Sequence, residues 1–172
     1  CYYLRRALAE HYGYSEDSFL IGNGSDELLR LITETFVGPG DEVIYGVPSF
    51  SEYGFMALIM GGVCVEVPLK DMRFDLPAIL DKVTDRTKLV YICNPNNPTG
   101  TITGRAETDQ FMKSLRDDVL VVFDEAYYEY VTDKDYVSGV EYLSQGRNVI
   151  VLRTFSKIYG LAGLRVGYGI TT

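Results

Sequence analysis

The chain has 172 residues, 47% of them hydrophobic and 23% charged, the balance of a globular domain with room for one sizeable core. A formal net charge of −8 argues against non-specific attraction to nucleic acid or anionic membrane, and no apolar run approaches the roughly 18 residues of a membrane span. Cys1, Cys64 and Cys93 are odd in number and form no CxxC pair, and His11 is the single histidine; a disulfide frame, a multi-histidine metal site and a Ser-His-Asp triad all lack support, and a reducing, cytoplasmic setting is expected.

Strand-like and helix-like segments alternate along the chain. A helix is expected over 2–12, a strand over 18–22 and a helix over 25–37, whose apolar Leu28, Leu29, Ile32 and Phe36 recur at helical spacing. Strands follow at 41–46, 64–69, 88–93, 119–124, 148–153 and 165–170, with helices at 51–60, 75–83, 103–116 and 137–145 between them. Several strands are near-continuous apolar runs, as strands covered on both faces should be. The pattern predicts an α/β fold: a mostly parallel seven-stranded sheet with helices on both faces. Ligands of such sheets bind beyond the carboxyl ends of the strands, so the chemistry is expected in the residues that follow each strand. The chain starts inside a helix-like segment and stops at "VGYGITT", which reads as a piece of something longer.

The first strand runs into "GNGSDELLRLI". Gly22 and Gly24 permit a tight turn, and Ser25, Asp26 and Glu27 open an amphipathic helix whose first N–H groups are free to hold a phosphate. An ordinary helix start with acidic residues in its first turn fits the same letters, and the third glycine of GxGxxG is absent. The fourth strand ends in "CNPNNPTGT", a rigid turn that presents asparagine amides, or simply a loop. The fifth ends as "VLVVFDEAYYEY", where Asp124 follows an apolar run and is costly unless it meets a cation or a donor. A magnesium-holding NTPase strand would end in the same way, but no GxxxxGK[ST] loop lies upstream. The sixth strand ends in "TFSKIYGLAGLRVGY". Lys157 at such a place suits a Schiff-base amine and Arg165 suits a phosphate, although a surface lysine in a loop satisfies the motif taken alone. A phosphate cradle, an amide, a buried carboxylate, a lysine and an arginine on one sheet edge match the layout of pyridoxal phosphate.

The segments "GNGSDE", "GVPSFSEY", "NPNNPTG", "FDEAYYEY" and "TFSKIYGLAGLRVGY", in this order over essentially the whole chain, resemble the signature of fold-type I aminotransferases, and within them of histidinol-phosphate aminotransferases. The resemblance implies pyridoxal 5'-phosphate as cofactor and amino transfer between L-histidinol phosphate and 2-oxoglutarate in histidine biosynthesis. Aromatic or other amino-acid aminotransferases and threonine-phosphate-type decarboxylases share the motifs and remain open alternatives. It further implies that Lys157 binds the cofactor's aldehyde, that Asp124 pairs with the ring nitrogen, and that Tyr127 and Asn97 bond the ring's 3-oxygen. Phe50 would stack on the ring, unless it is a core aromatic. The phosphate would rest on the N–H groups around Ser25 and Asp26, with Ser156 and Arg165 completing its shell and Thr154 as a further candidate; Glu125 and Tyr128 receive no role. By the same resemblance residues 1–172 are the cofactor-binding large domain of a homodimer, without the N-terminal arm and the C-terminal small domain. Negligible turnover by the chain alone, as an inactive cofactor-binding fragment, is then expected.

Overall fold

All six expected helices and all seven expected strands form in the computed structural model, which describes residues 1–172. They are α1 (Tyr2–Tyr12), β1 (Phe19–Gly22), α2 (Gly24–Phe36), β2 (Glu42–Val47), α3 (Glu52–Ile59), β3 (Val63–Pro68), α4 (Leu76–Leu80), β4 (Thr87–Cys93), α5 (Arg105–Ser114), β5 (Leu120–Asp124), α6 (Val140–Leu143), β6 (Val149–Thr154) and β7 (Gly167–Ile170). Two helices are shorter than the spacing predicts. Asp75 caps α4 by accepting the Ala78 N–H at 3.1 Å, but the chain tightens into three-residue turns from Lys82 onward. The other short helix, α6, lies between Gly139 and Gly146, and Gly146 stops it with a left-handed φ of 71°.

The strands form one sheet in the order β1-β7-β6-β5-β4-β2-β3. Neighbours from β6 to β3 are parallel, whereas β7 runs antiparallel to both β6 and β1. Six strands therefore point one way, and the carboxyl ends of β1, β4, β5 and β6 share an edge with the start of β7. The register makes this concrete: Gly22 and Thr154 both pair with Gly167, and Cys93 pairs with Asp124.

Strand alternation sends successive side chains to opposite faces. On β5, Phe123 stacks on Tyr142 of α6 on one face, while Asp124 reaches Tyr53 of α3 on the other. Helices α2 and α3 cover the Asp124 face; α1 and α6 cover the opposite one. Val121, Val122 and Phe123 are fully buried between these layers, each contributing roughly 1.5–3 kcal/mol of transfer free energy. No helix is long and apolar enough to cross a membrane.

Candidate active site

The turn from β1 into α2 is shaped by glycine. Gly24 has φ 76°, and its N–H donates to the Arg165 carbonyl at 3.0 Å. A Cβ on Gly167 would collide with the Ser25 nitrogen and the Gly24 carbonyl carbon, so only glycine lets the start of α2 lie directly on β7. Asn23 does not cap the helix; instead Glu27 reaches back and accepts from the Asn23 N–H at 2.8 Å and its side-chain amide at 3.1 Å. Those bonds hold the Glu27 carboxyl below the usual range, the backbone one contributing most. Glu27 thus serves the helix start, and the N–H groups of Ser25 and Asp26 are among the donors that an α-helix leaves without intrahelical acceptors.

Arg165 is a second shaped position. It sits outside β7 with φ 50° and ψ 56°, a left-handed conformation that costs a residue with a Cβ on the order of 1–3 kcal/mol. The Gly24 N–H bond and an ion pair from Nη2 to Asp26 Oδ2, 3.2 Å, keep it there. This places the guanidinium against Gly24, where a Cβ would meet Nη2 at 2.6 Å. The cation thereby lies beside the first turn of α2.

After β6 the chain turns through Thr154 to Lys157. Thr154 is buried; its hydroxyl donates to Ser156 Oγ at 3.0 Å and accepts the Ser156 N–H at 3.2 Å. Its place is to form the turn that carries Ser156 and Lys157. Lys157 is exposed, and its Nζ lies 5.2 Å from the centre of the Tyr127 ring. Tyr127 and Asn97 line one cleft of about 680 Å³ together with Arg73, Thr101, Tyr130 and Asp133.

Asp124 is buried at the centre of this edge and meets no cation. Its Oδ2 accepts the Tyr53 hydroxyl at 2.7 Å and its Oδ1 the Ala126 N–H at 3.2 Å. Burial pushes the carboxyl above the usual aspartate range, and these two bonds oppose the shift. Phe50 is half-buried and stands edge-on to Tyr53, ring centres 5.8 Å apart at 79°.

Two features escape the sequence reading. Tyr53 closes the motif "GVPSFSEY", but nothing in the letters names Asp124, 71 positions away, as its partner. The other is a buried ion pair behind the site: Arg153 Nη2 bonds Glu125 Oε2 at 2.7 Å, while Glu125 also accepts from Ser138 and the Gly139 N–H. An arginine inside the apolar run "NVIVLRTF" was itself a signal that a buried partner exists.

The chain is 54% identical over 171 residues to a histidinol-phosphate aminotransferase of Moorella thermoacetica, covering 99% of this chain and 44% of that protein. A histidinol-phosphate aminotransferase of Brevibacillus brevis is 48% identical, with 98% of this chain and 46% of the relative covered. The chain spans about half the length, or slightly less, of these curated relatives. The crystal structure of histidinol-phosphate aminotransferase from Sinorhizobium meliloti in complex with pyridoxal-5'-phosphate superimposes with a TM-score of 0.92 at 38% identity, covering 99% of this chain and 47% of that one. Residues 2–172 match the family described as aminotransferase class I and II, and the chain belongs to that family.

Proposed function

We propose that this chain is the cofactor-holding part of a pyridoxal phosphate-dependent aminotransferase whose complete form acts on histidinol phosphate and a 2-oxo acid. The observation that carries the reading is Asp124: a buried carboxylate paired with no cationic side chain, on the same strand edge as Lys157 and the Gly24–Arg165 cradle. The donor set fits the cofactor's chemistry at both ends. At one end, the N–H groups of Ser25 and Asp26, the Ser156 hydroxyl and the Arg165 guanidinium suit a phosphate dianion. Glycine at positions 24 and 167 lets the Arg165 guanidinium and the first turn of α2 pack this closely together. At the other end Asp124 suits a protonated ring nitrogen, and Phe50 suits a ring face.

When bound, pyridoxal phosphate supplies an electron sink for the carbanion left on loss of the substrate's Cα proton. The chain's own residues do the rest. Asp124 offers negative charge where the ring nitrogen carries a proton. Lys157 Nζ would hold the aldehyde, and its free amine would accept and return the substrate's Cα proton. The Tyr127 hydroxyl and Asn97 amide suit the ring's 3-oxygen, and Thr154 fixes the turn that presents Ser156. The preference for histidinol phosphate rests on the 54% and 48% identities, against 26% for the solved L-threonine-O-3-phosphate decarboxylase from Porphyromonas gingivalis.

The test is to add pyridoxal phosphate, reduce with borohydride and map the adduct by mass spectrometry. A single pyridoxyl adduct on Lys157, lost in Lys157→Ala, is expected. Label scattered over surface lysines, or unchanged in the variant, would overturn the reading.

A further inference from the structure

Tyr53 belongs to the first turn of α3 and is almost wholly enclosed, at 1% exposure. Its ring lies flat on Tyr91 of β4, centres 4.7 Å apart at 9°. Tyr91 is itself tied down: its hydroxyl lies 2.8 Å from Thr33 Oγ1, which donates to the Leu29 carbonyl in α2, also at 2.8 Å. The Tyr91 hydroxyl is therefore engaged with α2, whereas the Tyr53 hydroxyl points at Asp124. Burial holds the Tyr53 phenol far above its ordinary titration range, so it remains a donor. A buried hydroxyl needs an acceptor and a buried carboxylate needs a donor, and each here supplies what the other lacks.

The two carboxylate oxygens are held from different directions. Oδ2 takes the Tyr53 hydroxyl from the helical layer, and Oδ1 takes the Ala126 N–H from the turn after β5. The plane of the carboxylate is thereby set before any ligand arrives.

We propose that Tyr53 is the positioning residue of Asp124: its hydroxyl, braced by the Tyr91 stack, favours the ionised form of the enclosed carboxylate and holds it in one orientation, ready for a cationic ring nitrogen. This rests on the cofactor reading given above for its purpose, though not for its measurement. The other titratable groups around Asp124 are the Cys93 thiol and Tyr91 of β4, Asp26 at the start of α2, and Glu125. Burial pushes the Cys93 thiol up to about 12, so it stays neutral, and no cation is among these neighbours to take over the task.

The test follows the Asp124 carboxyl carbon by NMR through a pH titration of the cofactor-free chain, with Asp124→Asn identifying the signal. Tyr53→Phe removes one hydroxyl and keeps the ring stack. It should move the Asp124 titration upward by roughly one pH unit or more, a tenfold weaker ionisation. Tyr91→Phe removes the neighbouring hydroxyl, which serves Thr33, and should leave that titration in place. An Asp124 titration unmoved in Tyr53→Phe, or moved equally in both variants, would overturn the proposal, since loosened packing alone would act through either ring. The parent chain gives a check free of substitutions: the Tyr53 Cζ resonance should shift in step with Asp124, and a Cζ signal flat through that range would refute the bond. Because no cofactor is present, failure here would leave the Lys157 labelling result intact. Failure of labelling would likewise leave the Tyr53–Asp124 result intact.

Discussion

Asp124 carries its charge at the expense of the fold. Burial raises its folded-state pKa, so between the unfolded and folded values the native state retains a proton that the unfolded chain has released. Stability must then fall as pH rises through that window, and above it the native state bears the full cost of the enclosed charge. Asp124→Asn can keep both contacts, its Oδ1 accepting the Ala126 N–H and its Nδ2 donating to the Tyr53 hydroxyl, and should make the cofactor-free chain more stable at neutral pH by about 1 kcal/mol, as relief of a functional residue commonly does. The gain should disappear as the pH is lowered below the aspartate range, where the parent carboxyl is protonated as well. Denaturant titrations at neutral and acidic pH would show this, and an Asn variant less stable than the parent at neutral pH would contradict it.

Between elements, the decisive joints are where a side chain ties two strand ends. At the edge opposite the site, β2 and β4 slip by one residue: Glu42 pairs with Thr87, and Val43 with Leu89, leaving Lys88 as the extra position. The Glu42 carboxylate secures this irregularity, with Oε2 taking the Thr84 hydroxyl at 2.6 Å and Oε1 taking Arg86 Nη2 at 2.6 Å. The Thr84 bond chiefly, then Arg86, holds the Glu42 carboxyl below the usual range, against the opposing effect of burial. Its sign is opposite to that of Asp124. The stabilisation is complete above the unfolded glutamate value and is lost as pH falls through the depressed folded value. Glu42→Gln should cost about 1–3 kcal/mol at neutral pH and flatten the acid limb of the stability curve. Equal acid sensitivity of variant and parent in thermal melts would remove Glu42 from the account.

For the molecule as a whole, the Glu125–Arg153 pair joins layers that the sheet alone would not. Glu125 follows Asp124, Arg153 precedes Thr154, and between them they bind Ser138, the Gly139 N–H before α6, and the Tyr12 hydroxyl of α1 at 2.8 Å. The Arg153 guanidinium also lies 3.4 Å from the centre of the Tyr128 ring, next to Tyr127. The two residues without a role in the sequence reading, Glu125 and Tyr128, thus brace the strand ends from behind. Arg153→Met should destabilise by about 3–5 kcal/mol by leaving Glu125 charged and alone, whereas Glu125→Gln with Arg153→Met should recover much of the loss. A double variant as unstable as the sum of the single ones would show that the two side chains are not coupled.

The sequence alone was enough for much that depends on neighbours along the chain, though not for where α4 and α6 stop. Apolar runs of strand length ended by Asp124, by Thr154 to Lys157 and by the glycines around Ser25 disclosed an α/β sheet and the edge where its chemistry lies, because period and punctuation are local properties. Glu27 was legible as a helix-start residue for the same reason, its partner being Asn23, four positions back. Only the tertiary structure decided which strands adjoin, that β7 alone runs against the rest, and that Arg165 leaves its strand to turn left-handed over Gly24. It also decided that the side chain bonded to Asp124 is that of Tyr53, 71 positions away. The physical reason is one of range: hydrophobic periodicity tells a residue which way to face, but its partner across a layer is chosen by packing of segments distant in sequence.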